Sequence, residues 1–369
     1  MVVAQSRYGR AFEWLGVERA WTRTRGDAGT LVAVVETGVQ CDHPLLGPGI
    51  RRDHSHPAPV SGEHELPGTQ AAGLIAGRTR DDFAGIAPLT RLVPVRFGAG
   101  PGPQHLDLAN AIEYAVEAGA SIINIAAAAD PGSPAVTRAI QYAAARNVLV
   151  VGAANHSVAA LRARATDDPL PNQISVLSVD SSLVPHGSHG DSRADIAAPG
   201  FGRVPQWNGA GHVEIDGAAI GAAYVTGCAA LVKAQNPGWG YHELKDHLFA
   251  SAHANPRLDS RCELGRQLHI GDAVLGPIEI ETDGPELEWS ALNDAVIRWK
   301  LRFRSAYCAN AVALYRRHGD EHWRELGFAR ASAEQLHIPA AVMRRSTGTL
   351  RIACRESNFH TDEVPLTIR

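Results

Sequence analysis

The chain has 369 residues and a formal net charge of −4, with 45% hydrophobic and 20% charged residues. That length suits one large domain plus a smaller one, with a core large enough to fold without staples. The slight acidity argues against a dedicated nucleic-acid binder. No apolar run approaches the ~18 residues that would cross a membrane as a helix.

The N-terminal stretch MVVAQSRYGRAFEWLGVERAW is polar and aromatic and lacks the apolar centre of a signal peptide. TLVAVVETGV (Thr30–Val39) is a continuous apolar run ending in Thr-Gly, which predicts a strand buried on both faces. TRLVPVRF (Thr90–Phe97) predicts a second strand. LDLANAIEYAVEAGA follows, with Leu108, Ile112, Ala115 and Val116 on one helical face and Gly119 as the C-cap. SIINIAAAA predicts another strand, and SPAVTRAIQYAAARN a helix capped by Ser133. VLVVGAAN (Val148–Asn155) and QISVLSVD (Gln173–Asp180) predict two strands more. This alternation makes βαβ units and a mainly parallel sheet, whose ligands bind beyond the carboxyl ends of the strands. Glu36, Ala126 to Ala129 and Asn155 fall at such ends.

IDGAAIGAAYVTGCAALVKAQNPGW (Ile215–Trp239) reads as a small-residue turn, a buried helix and a Pro-Gly stop. Small residues crowd its first turn, where the backbone must come close to something else. Such a turn usually carries a reactive side chain, but here Ala218 and Ala219 occupy it. From Leu275 onward the segments are short and alternating, as in AVIRWKLRFR and GTLRIACRE, which predicts an antiparallel β-sandwich. Trp289, Trp299 and Trp323 are expected in its core, and Arg316, Arg317, Arg344 and Arg345 on its solvated surface. The sandwich is also a candidate docking module for a partner or a twin subunit. The five cysteines are widely spaced, with no CxxC pair, and predict reduced thiols in a cytosolic protein.

The ordered blocks VAVVETGVQCDHPLL, PGTQAAGLIAG, GIAPLTRLVPVRF, SIINIA, VLVVGAANHS, ISVLSVDSS, ADIAAPG, GAAIGAAYVTGCAALVKAQNPGW and LGRQLHIGDAVL resemble those of the subtilisin-like serine proteases. The resemblance implies a doubly wound, mainly parallel α/β domain over residues 1–275. Residues 276–369 are then the sandwich, fibronectin- or jelly-roll-like. The family's chemistry needs an aspartate, a histidine in H-G-T-H and a serine in G-T-S-M-A. At the matching positions this chain has Glu36, Pro67 and Ala219. Proline has no proton acceptor and alanine cannot attack a carbonyl. Losing triad members costs about 10⁴ to 10⁶ in turnover, so the resemblance implies an inactive relative.

Nearby groups do not restore the reaction. His64 reads as a loop histidine, Gln70 cannot titrate, and a pairing of Glu36 with Glu63 or Glu65 still lacks the serine. Cys228 lies about 13 Å up the helix from Ala219 and reads as a core thiol, and Tyr224 as a packing residue. Asn155 stands where the family places its oxyanion-hole amide, and either donates to a bound carbonyl or braces its loop. The two peptide-gripping edges implied by the resemblance are FGAGPGPQ, with Gly100 and Gly102, and NIAAAAD, with Ala126, Ala127 and Ala128. Pro101 and Pro103 remove donors from the first.

Acidic turns at DDFAG and TDDP read as solvated, and His54, His56 and His64 lack metal-ligand spacing. No metal or cofactor is expected. The protease-like blocks begin almost at Met1, which predicts a cytoplasmic chain that folds without a pro-segment. The leading expectation is a non-proteolytic relative that binds a peptide or protein partner as scaffold, carrier or regulator. Its cellular style points to maturation of a ribosomal peptide natural product. The alternatives are a proton-transfer enzyme that cyclises or epimerises a bound peptide using Glu36 and Asn155, and a structural subunit of a homo- or hetero-oligomer.

Overall fold

The computed structural model describes residues 7–46, 49–51, 66–97, 104–125, 133–154, 170–186, 194–206, 209–259, 261–282 and 286–369. Gly100, Gly102, Ala126, Ala127, Ala128 and Asn155 lie outside them, as do His54, His56, Glu63, His64 and Glu65. The chain divides into two compact units, Met1–Val274 and Leu275–Arg369.

The first unit opens with two short helices, α1 (Arg10–Leu15) and α2 (Val17–Ala20). Its strands are β1 (Leu31–Glu36), β2 (Arg91–Arg96), β3 (Ile122–Ile125), β4 (Leu149–Ala153), β5 (Gln173–Val179), β6 (Ile196–Pro199), β7 (Phe201–Pro205), β8 (His212–Asp216), β9 (His253–Ala254) and β10 (Arg266–Gln267). The longer helices are α3 (Leu66–Ala76), α4 (Gln104–Glu117), α5 (Pro134–Ala144), α6 (Ile220–Gln235) and α7 (Tyr241–Ser251), followed by the short α8 (Ile270–Leu275). The main sheet runs β2-β1-β3-β4-β5-β6-β10-β9, and only the last pair is antiparallel. Strand order reverses between β1 and β3, which makes the carboxyl end of β1 a topological switch point where open α/β sheets bind ligands. Glu36 is the last residue of β1.

Alternation along the strands explains the layers. Ala33, Val35 and Ile123 pack with Leu108 and Ile112 of α4 and Ile140 of α5. The opposite parity faces α6, where Asn124 Oδ1 accepts the Thr226 hydroxyl at 2.9 Å. Glu36 has the parity opposite to Val35 and is therefore turned toward the α3 and α6 layer. Gly119 ends α4 with φ 86°, as expected of a left-handed cap. Ser133 stands at the N-cap of α5, but its side chain makes no capping bond and its buried Oγ has no partner among the described residues. Only its backbone carbonyl serves the helix, accepting the Thr137 N–H at 3.2 Å.

The second unit holds a three-stranded sheet, β11 (Ile278–Glu281), β13 (Ala295–Leu301) and β16 (Gln335–Ile338), in the order β11-β13-β16. A five-stranded sheet contains β12 (Leu287–Trp289), β14 (Asn310–Arg317), β15 (Arg324–Arg330), β17 (Ser346–Cys354) and β18 (Val364–Ile368), in the order β12-β18-β17-β14-β15. Both sheets are antiparallel except for the β12–β18 pair. Ala295, Ile297 and Trp299 point inward on β13, and the Trp299 indole N–H donates to the Ala331 carbonyl at 2.7 Å.

Two expectations are corrected here. Of the three tryptophans expected in the core only Trp299 is buried there; Trp289 and Trp323 are half-buried. Trp323 has the guanidinium carbons of Arg316 and Arg351 at 4.6 and 4.2 Å from its ring centroid. Arg316 is thus held by an aromatic face, and by Glu363 at 3.0 Å, rather than simply solvated. Nor are all the cysteines thiols, because Cys308 and Cys354 form a disulfide. Register is the reason: β14 pairs with β17 so that Ala311 lies opposite Cys354, and Cys308 ends the 3₁₀ turn just before β14. Cys41, Cys228 and Cys262 are not bridged.

Candidate functional site

Glu36 is 4% exposed, and Oε2 accepts the Thr37 N–H at 2.5 Å. Burial raises its carboxyl above the ordinary range, and the Thr37 bonds offset only part of that. No basic side chain pairs with it among the described residues.

The first turn of α3 lies directly against this strand end. A β-carbon on Gly68 would meet the Gly38 carbonyl oxygen at 2.0 Å and the Glu36 Cβ at 3.0 Å, so only glycine permits the approach. Thr69, fully buried, accepts the Gln40 N–H on its hydroxyl at 2.8 Å and ties the loop after β1 to the helix. Pro67 sits in the first helical turn, where a missing N–H costs nothing, and it is exposed. The structure therefore brings Glu36 and the Pro67–Gly68 step together.

Ala219 is the half-buried N-cap of α6, and it makes no side-chain capping bond. The cap comes from β5 instead. The Ser178 hydroxyl donates to the Ala218 carbonyl at 2.6 Å and accepts the Gly221 N–H at 3.0 Å. This fixes the opening of α6 at the carboxyl edge of the sheet, the same edge that carries Glu36. The crowding of small residues in this turn has its explanation in that contact. One turn further on, the buried Tyr224 hydroxyl donates to the Phe201 carbonyl at 3.0 Å and holds the base of the β7–β8 hairpin. Burial pushes its phenol above the ordinary range.

The buried polar groups described around this edge are committed elsewhere. Ser178 is 2% exposed and uses its hydroxyl in the clamp, so it is no nucleophile. His43 is fully buried. Its Nδ1 accepts the Leu45 N–H at 3.1 Å, which leaves Nε2 to donate to the Gln206 carbonyl at 3.0 Å. Cys228 is fully buried and its thiol is pushed above the ordinary range, which makes it inert. Asp82, expected as a solvated turn, reaches Arg203 at 3.2 Å. Sequence reasoning missed Ser178 and His43. The only signal for Ser178 was a hydroxyl near the end of a buried strand, a signal that Ser175 shares.

His253, His269 and Asp272 form a cluster whose ligand atoms lie within 4.8 Å of one another. As arranged, it is a cap and a hydrogen-bonded pair. His269 Nδ1 accepts the Asp272 N–H at 3.1 Å, His253 Nε2 meets Asp272 Oδ2 at 2.8 Å, and the two rings stack 4.0 Å apart at 13°. Near-parallel rings do not aim their in-plane lone pairs at one ion.

A parallel sheet with a switch-point carboxylate, a glycine-pinned helix beside it and a small-residue helix start define an open α/β scaffold with its ligand edge at the end of β1. The Subtilase family model (Peptidase_S8) matches residues 27–265, and the chain belongs to that family. Among curated relatives, the Thermophilic serine proteinase of Bacillus sp. (strain AK1) is 31% identical over 228 residues, covering 58% of this chain and 55% of that protein. The chain thus spans about half of that relative's length. The solved prenylagaramide maturation protease PagA is 30% identical with a TM-score of 0.56, covering 70% of this chain and 98% of that one. The self-cleaved protease domain of PatA is 27% identical with a TM-score of 0.53, covering 68% and 97%. No helix among the described residues is long and apolar enough to cross a membrane.

Proposed function

We propose that this subtilase is non-proteolytic and binds a peptide or protein partner at the carboxyl edge of its sheet, as scaffold, carrier or regulator. The observation that carries the reading is the fully built helix start at Ala219, which lacks any attacking atom, beside a helix that opens with Pro67 where a base would stand. The likeness to a prenylagaramide maturation protease favours a peptide natural product in maturation as the partner's class. Calorimetric titration with precursor-type peptides, followed by mass spectrometry of the mixture, tests it. Saturable binding with intact peptide is expected. A cleaved product from purified protein overturns the reading, and so does the absence of binding across a varied peptide set.

A second reading is favoured by Glu36. A buried carboxyl whose pKa burial raises, with no basic partner among the described residues, is suited to proton transfer. In that reading the chain runs proton-transfer chemistry on a bound peptide, such as cyclisation or epimerisation. Glu36→Gln then abolishes product formation while binding persists. Unchanged product from that variant removes the reading. A cytoplasmic placement requires Cys308 and Cys354 to be thiols in the cell, against the usual behaviour of disulfides. Thiol counting on protein alkylated at lysis decides it.

A further inference from the structure

The turn that carries Ala219 has a second neighbour. Ile215 and Asp216, at the end of β8, line a cavity of about 560 Å³ together with the start of α1, the end of β5 and Phe201 of β7. Three carboxylates, Asp180, Glu214 and Asp216, face two guanidinium groups, Arg10 and Arg203.

The charges inside are unequally used. Arg203 is committed: Nε meets Glu214 at 3.3 Å, and Nη1 meets Asp82 at 3.2 Å and donates to the Arg7 carbonyl at 2.8 Å. Asp180 spends Oδ1 on the Ser182 and Val184 N–H groups, at 2.8 and 2.9 Å, and its Oδ2 has no partner among the described residues. Asp216 has no hydrogen-bond or ion-pair partner among the described residues. His186 packs against Gly200, and its buried Nε2 has no partner either. Among the described residues, Arg10 is thus the only lining cation without a partner. Two carboxylates with oxygens unpaired among the described residues line the cavity with it. Phe201 and Ile215 add an apolar wall that suits a methylene stem.

We propose that this cavity is a subsite for a basic side chain, lysine or arginine. The cation sits on Asp216 and Oδ2 of Asp180, and the stem lies along Phe201 and Ile215. The inference rests on the peptide-binding reading and deepens it: the partner carries a basic residue within a few positions of the bond held over Ala219.

The test uses the full chain and two probes of near-equal shape, Nα-acetyl-lysine methylamide and Nα-acetyl-norleucine methylamide. Their affinities are measured by ligand-observed NMR. The lysine probe binds about fivefold more tightly, the size of one partly solvated ion pair. The preference disappears in Asp216→Asn, and it weakens in wild-type protein as salt rises. Equal affinities, a preference that survives Asp216→Asn and is indifferent to salt, or no binding of either probe overturns the inference. Longer peptides report separately. If they bind without a basic preference, the subsite fails and the peptide reading stands. If only the lysine probe binds, the subsite stands and the peptide reading fails.

Discussion

His247 links the stability of the first unit to acid. It is fully buried on α7, its ring packs edge-on to Trp239 at 5.4 Å, and it shares a hydrogen bond of 2.8 Å with the Ala273 carbonyl. Burial pushes its pKa down from 6.5 to about 4, against a smaller upward pull from the Ala273 bond. The sign follows from proton counting. Above pH ~6.5 neither state binds the proton and the full stability is present. As pH falls toward ~4 the unfolded chain takes up a proton that the folded chain refuses, and stability is lost. A gap of about 2.5 units at 1.36 kcal/mol each gives a loss of ~3 kcal/mol. His247→Gln keeps an N–H donor and removes the titration. Urea unfolding of both proteins at pH 7.5, 6, 5 and 4 reads the effect. The wild type should lose ~3 kcal/mol more than the variant over that span. Parallel stability curves refute the reasoning. His269, lowered to about 4 chiefly by burial, adds a smaller contribution because it is partly solvated.

Ala219→Ser should leave peptides intact, because no imidazole stands at residue 67, and the deficit is on the order of 10⁴-fold or more. Fluorogenic substrates read this, and measurable turnover would contradict the site description. Tyr224→Phe removes the bond to Phe201 and should cost about 1 kcal/mol, read as a lower urea midpoint. An unchanged midpoint would mean the hairpin base is held by packing alone. Replacing Cys308 and Cys354 together by alanine opens a loop of 46 residues and should cost ~4 kcal/mol in the second unit. Thermal unfolding with and without reductant checks it, since the variant should be insensitive to reductant.

The parallel sheet was legible because its strands are short apolar runs between helices of 3.6-residue period. Ends were less so. Thr30–Val39 reads as a strand, yet β1 stops at Glu36, where Thr37 turns its N–H back onto the Glu36 carboxylate. Glu36, Pro67 and Ala219 could be placed because their flanking residues keep a shared pattern. What closes the site could not. Ser178 meets Ala218 across 40 residues, and neither shows a partner in its own neighbourhood. The Cys308–Cys354 bond depends on the β14–β17 register, which no spacing rule fixes. Trp323 was misplaced for a related reason: its packing partners are charged, and a composition argument sends aromatic rings inward. Ser133 takes the N-cap position of α5 as its residue type suggests, but its hydroxyl makes no capping bond, which residue type alone does not reveal.

The Ser178 clamp has a consequence for engineering. The start of α6 takes its shape from the neighbouring strand, so residue 219 has no folding duty of its own. The bonds that shape the turn run through the backbone of its neighbours, Ala218 and Gly221. Small reactive groups can be exchanged at residue 219, a cysteine for chemical labelling or a designed amino acid, without redesigning the frame around them.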